Sequence, residues 1–69
     1  MPDLQDRLLA AHASDDRAAL VQLYAEAADR AADIDSACFF LTQAYVFALE
    51  RGDPAVQPLF NRLKAQGRV

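Results

Sequence analysis

Apolar residues recur every three or four positions along nearly the whole chain, and the recurrence breaks at three places. Leu4, Leu8 and Ala11 keep a helical period, with Leu9 widening the stripe and Asp6 and Arg7 on the wet side. This predicts a first helix from about Asp3 to Ala13, opened by Pro2 or Asp3, residue types favoured in a first turn. A second helix starts after Asp15 or Asp16, either of which can cap free N–H groups. Its apolar set is Leu20, Leu23, Tyr24, Ala27 and Ala31, Glu26 and Arg30 form an i,i+4 pair, and the pattern fades over Ala31-Ala32-Asp33.

The third helix is the unusual one. Asp33 or Asp35 caps it, it runs to about Arg51, and Gly52 supplies the left-handed residue on which helices often end. Ala37, Phe40, Leu41, Ala44, Tyr45, Phe47 and Ala48 share one broad face. Thr42, Gln43 and Glu50 fall opposite, with Phe39 and Val46 among them. A helix apolar almost all round is expected to be covered on nearly all sides, by neighbours on both flanks or by another chain. The fourth helix has the clearest start, Asp53 as cap with Pro54 in the first helical position. Val56, Leu59, Phe60 and Leu63 form its inner stripe, and Gln66-Gly67-Arg68 ends it. Pro58 is a local conflict, because it removes one backbone donor. Connections of a few residues force antiparallel neighbours. The expected fold is all-α: one domain over residues 1–69, of four short antiparallel helices in two helical hairpins.

Composition supports helices over strands. Hydrophobic residues make up 54% of the chain, much of that alanine, and β-branched residues are scarce. A chain of 69 residues buries only roughly 60% of the surface its unfolded form exposes. Small domains usually recruit disulfides, a metal or self-association. The single Cys38 makes no internal disulfide, and one His with one Cys make no structural zinc set, which leaves close packing or self-association.

The net charge is −3, split unevenly. Residues 1–35 carry eight acids and three bases, and residues 36–69 carry two acids and four bases. The acidic total argues against nucleic acid, whose binding rests on phosphate neutralisation. The split suits either head-to-tail contact between copies or a plain solvated surface. Met1-Pro2-Asp3 opens no leader pattern, and the longest uncharged stretch, Ser36 to Leu49, is too short to span a bilayer. A soluble cytoplasmic protein is the expectation. Alanine and arginine-over-lysine usage fit a high-GC bacterial genome.

The stretches Tyr24-Ala25-Glu26-Ala27-Ala28, Ala37 to Tyr45, and Arg51-Gly52-Asp53 together resemble tetratricopeptide-type helical repeats over about residues 15–66. Leu41, Ala44 and Tyr45 resemble the packing positions of a first repeat helix, and Gly52-Asp53 the turn between repeat helices. Asp16 and Asp53 stand 37 residues apart, near the family's repeat length of about 34. Thr42 stands where the family commonly has a small residue, often Gly. The resemblance implies a surface for protein or peptide partners, in a groove lined by the first helix of each pair, and no catalytic residue.

Candidate chemistry is sparse. Phe39 and Val46 are either a contact patch for another chain or covered by the first helix within one subunit. Phe40, Tyr45, Phe47, Tyr24 and Phe60 fit a core. His12 lies in the last helical turn beside Asp15 and Asp16, a setting that favours a cationic ring. Cys38 fits a buried small hydrophobe. Asp29, Asp33 and Asp35 lack the glycine and dense oxygen ligands of a calcium loop. Ser14 and Ser36 sit in no nucleophile motif. The expected function is non-enzymatic: an interaction or adaptor module, self-associating as a homodimer through its third helix. Phe39 and Val46 dock, rimmed by Thr42, Gln43 and Glu50, with no cofactor and no metal. Two alternatives are a helix-turn-helix regulator reading nucleic acid with Arg62, Lys64 and Arg68, and a small-ligand binder with a pocket beside Tyr45 and His12.

Overall fold

Three of the four helices begin where an aspartate carboxylate meets a free backbone N–H. In the computed structural model, which describes residues 3–69, α1 spans Leu4–Ala13, α2 Arg17–Arg30, α3 Ile34–Arg51 and α4 Val56–Ala65. Asp3 Oδ1 accepts from the Asp6 N–H at 2.8 Å, Asp16 Oδ1 from Ala19 at 3.1 Å, and Asp33 Oδ1 from Ser36 at 2.8 Å. The caps are therefore Asp16 and Asp33, not Asp15 or Asp35; the expectation for Pro2 lies outside the described residues.

The Asp33 cap is linked to pH. The Ser36 N–H, and then the Ser36 hydroxyl, hold the Asp33 carboxyl below its ordinary pKa. A depressed folded-state value contributes stability above the ordinary carboxylate pKa and loses it as pH falls through the folded value. Asp33→Asn keeps an acceptor for the cap but cannot titrate. Its thermal midpoint is expected to fall less than the wild type's between pH 7 and about pH 3. Equal losses would show that this cap carries none of the acid sensitivity.

The fourth start differs from the sequence reading. Asp53 does accept from a backbone N–H, but from Ala55 at 2.8 Å, so Pro54 and Ala55 form a turn before α4 begins at Val56. The first α-type bond is from the Leu59 N–H to the Ala55 carbonyl, at 3.0 Å. Pro58 thus falls in the first turn, where no N–H has an intrahelical partner, and the conflict disappears.

Three helix ends use a left-handed residue, Gly67 (φ 71°) being the one after α4, with the Arg68 N–H on the Leu63 carbonyl at 3.0 Å. Gly52 (φ 63°) ends α3, and the next N–H, of Asp53, reaches back to the Ala48 carbonyl at 2.9 Å. After α1 the same position is held by Asp15 (φ 53°), with the Asp16 N–H on the Ala11 carbonyl at 2.9 Å. That conformation costs an L-residue about 1–2 kcal/mol, and glycine's extra unfolded freedom takes back about 0.5–1 kcal/mol. Asp15→Gly is expected to raise the thermal midpoint by a few degrees in scanning calorimetry. A lower midpoint would mean that the exposed contact of Asp15 with Arg17, at 3.5 Å, outweighs the backbone relief.

The helices stack in chain order: α1 on α2, α2 on α3, α3 on α4. The Cα envelope is a flat slab of 33 × 29 × 13 Å. The most extensive seam joins α2 to α3, and Ala28 of α2 shares a core with the fully buried Ala44 and Ala48 of α3. The core has two parts. Val21, Ala28, Cys38, Leu41, Ala44, Ala48, Leu59 and Leu63 form one across α2, α3 and α4. Ala11, Leu20 and Leu23, backed by Leu4 and Leu8, form the other between α1 and α2. Tyr24 and Phe47 pack against both.

Two details depart from the periodicity. Leu9 is 60% exposed, since α1 has only α2 as a neighbour and buries one narrow face. Val21 and Ala28 are buried although outside the expected stripe, because α2 lies between α1 and α3 and covers two faces. The charge split is used inside the chain: Arg62 pairs with Asp29 at 2.6 Å and Arg68 with Asp35 at 2.5 Å. Among the described residues, no helix is long and apolar enough to cross a membrane.

Candidate functional site

α3 meets α2 and α4 along one side and presents the opposite side to solvent. On that open side Phe39 is 58% and Val46 43% exposed, so α1 does not cover them. Thr42 and Glu50 are also exposed, and Gln43 is half-buried. All five expected surface residues therefore lie along one helix. Leu49, 53% exposed, extends the strip toward the C-terminal end of α3; it was missed because Leu49 also fits the margin of a buried stripe.

Three polar groups around this strip, of Thr42, Glu50 and Asp35, are already partnered. The Thr42 hydroxyl donates to the Cys38 carbonyl at 2.8 Å, so a partner covering Thr42 would strand no donor. Glu50 pairs with Arg17 of α2 at 3.3 Å, and Asp35 with Arg68 at 2.5 Å. Each end of the strip thus carries a carboxylate held by an arginine from elsewhere in the chain.

The strip runs into a groove. The Phe39 ring sets its edge against Phe40 at 5.6 Å, with 72° between planes. Phe40 in turn lines a mostly apolar groove of about 440 Å³, with Leu4 and Leu8 of α1 and Ala27, Arg30 and Ala31 near the end of α2. A smaller hollow of about 240 Å³ lies under the Arg7–Glu26 pair, which closes at 2.9 Å.

The remaining candidates have structural partners. His12 Nε2 lies 2.8 Å from the Tyr24 hydroxyl, giving that half-buried phenol a polar contact, and its ring stands edge-on to Tyr24 and Phe47. Tyr45 instead packs on Phe60 of α4, so the structure does not bring Tyr45 and His12 together around a pocket. Cys38 is buried within the larger core. Of the three acids considered for a cation, Asp33 caps α3 while Asp29 and Asp35 pair with arginines. Among the described residues, no group of three or more His, Cys, Asp or Glu is placed to hold a metal. Neither family models nor curated proteins nor solved structures give a match to this chain.

Proposed function

We propose that this protein is a non-enzymatic protein-interaction module that self-associates through the outer face of α3. One observation carries the reading: Phe39 and Val46 lie exposed on the same side of a helix whose other side is packed. Exposed apolar residues gathered on one face of a helix in a small domain support a docking site there. The stacking of each helix on the next is compatible with a tetratricopeptide-like scaffold, and the groove between α1 and Phe40 lies where that resemblance puts a peptide surface. A cytoplasmic location belongs to the same reading.

A protein partner is favoured over nucleic acid by where the arginines go. Arg7, Arg17, Arg30, Arg51, Arg62 and Arg68 each pair with a carboxylate of the same chain. A helix-turn-helix reading would need Arg62 and Arg68 free for phosphates.

The test is Phe39→Asp, followed by light scattering on a sizing column over a wide concentration range. The wild type is expected to show a concentration-dependent dimer. The variant is expected to remain monomeric with an unchanged helical circular dichroism spectrum, since Phe39 contributes little to the packed core. Assembly that survives the substitution would overturn the assignment of the face.

A further inference from the structure

Among the described residues, α1 and α3 both pack on α2 and not on each other, so a strip of α2 lies open between them. Ala27 and Ala31, about one turn apart, give that strip a low floor. Leu4 and Leu8 of α1 stand along one side and Phe40 of α3 along the other. The Phe40 ring is held from two directions, stacked on Tyr24 at 6.3 Å and edge-on to Phe39 at 5.6 Å, which keeps it from folding down onto the alanines. The result is a standing trough of about 440 Å³, within the range of about 300–1,000 Å³ usual for small-molecule sites. Its polar lining is Gln5 and Arg30, both hydrogen-bond donors. Arg30 is the most loosely held arginine of the described residues. Its carboxylate contact, Glu26, is at 3.7 Å, beyond hydrogen-bond distance, and the same Glu26 oxygen takes Arg7 at 2.9 Å. Every other arginine has a carboxylate at 3.3 Å or closer. Two guanidinium groups thus share one carboxylate, which leaves a positive charge beside an apolar trough in a chain of net charge −3.

We infer that this trough is a binding site for a medium-chain alkyl carboxylate, with the chain over Ala27 and Ala31 and the carboxylate on Arg30. The under-compensated guanidinium selects an anionic head, to which it can offer charge-assisted hydrogen bonds. The rest of the lining selects an alkyl chain over a peptide strand. A strand brings a backbone N–H and C=O at every residue, and away from Gln5 and Arg30 the trough lining has no side-chain partner for them. An alkyl carboxylate is polar at one end only and leaves nothing unpaired among the leucines and alanines. The outer face of α3 takes no part in this site, so the inference stands independently of self-association.

Backbone amide shifts of isotope-labelled protein, titrated with octanoate, test the site. Saturating shifts are expected at Leu8, Ala27, Ala31 and Phe40, with a dissociation constant on the order of 1 mM for so small a ligand in an open groove. Arg30→Gln is expected to weaken octanoate about three- to fivefold and to leave octan-1-ol within about twofold, because the alcohol makes no use of the charge. Ala31→Leu raises the floor and is expected to abolish the shifts with both ligands while the helical circular dichroism stays unchanged. Equal effects of Arg30→Gln on octanoate and octan-1-ol would overturn Arg30 as the head-group partner. Octanoate shifts confined to Phe39 and Val46 would put the alkyl chain on the outer face of α3 and overturn the trough. An amphipathic helical peptide with one carboxylate, binding at the same amides about tenfold more tightly than octanoate, would overturn the alkyl ligand in favour of a partner helix. An octanoate titration without saturating shifts at these amides would overturn the site altogether.

Discussion

Leu63→Ala is expected to bring the domain close to unfolding at room temperature. Leu63 is 1% exposed and is the most deeply buried residue of α4, set against the α2–α3–α4 core. Removing a fully buried leucine side chain costs about 2–5 kcal/mol, from lost transfer energy plus the cavity left behind. A domain of this size has roughly 3–10 kcal/mol of stability in total. Little nearby compensates, because α4 lies at one end of the stack against α3, and its ion pair with α2, Arg62 to Asp29, is exposed and therefore contributes little. The thermal midpoint is expected to fall by at least about 10 °C, and the urea midpoint with it. Leu49→Ala is the control. It removes the same atoms from a side chain 53% exposed on the open side of α3, and is expected to leave the stability of the separated monomer nearly unchanged. Equal losses in the two variants would mean that α4 does not dock on α3 through Leu63.

The contrast between Leu63 and Leu49 also shows what periodicity reveals and what it leaves hidden. The helices were legible because their ends are written in local chemistry: Asp16 and Asp33 before the starts, Gly52 after the end of α3. The same chemistry misplaced the start of α4, because an aspartate followed by proline can cap directly or make a turn first, and hydrogen bonding to Ala55 selects the turn. Burial was legible where a helix has one neighbour on a predictable side, as with Leu59 and Leu63 of α4. It was not where burial depends on how many neighbours a helix has. The reading gave α2 one buried face and it has two, hence Val21 and Ala28; it gave α1 a broad face and it has a narrow one, hence the exposed Leu9. The strip of Phe39, Thr42, Gln43, Val46 and Glu50 was legible as a face, since helical geometry alone puts those residues together. The arginines that hold its end carboxylates were not, because Arg17 and Arg68 reach Glu50 and Asp35 across more than thirty positions of chain.

Phe47→Ala is expected to separate the two halves of the core while leaving most of the helices in place. α1 has no helical neighbour except α2, and its small cluster of Ala11, Leu20 and Leu23 is tied to the rest through Tyr24 and Phe47. Phe47 stacks on Tyr24 at 5.8 Å with 11° between planes, and takes the edge of the His12 ring at 6.0 Å. Full burial of a phenylalanine side chain would make its removal cost about 3–5 kcal/mol; Phe47 is half-buried, so about 2–3 kcal/mol is expected here. The distribution of that loss is the sharper prediction. Native-state hydrogen exchange should show α1 amides losing most of their protection, while α3 and α4 around Leu41, Ala44 and Leu59 keep theirs. The groove between Leu4, Leu8 and Phe40 depends on α1 and would open with it. The outer face of α3 does not, so the variant should still self-associate in the cold at the wild-type concentration. Equal loss of protection in α1 and α4 would mean one cooperative unit, with Phe47 an ordinary core residue. Dimer loss without unfolding would mean that α1 takes part in the contact between copies, and would shift the docking surface from the outer strip into the groove.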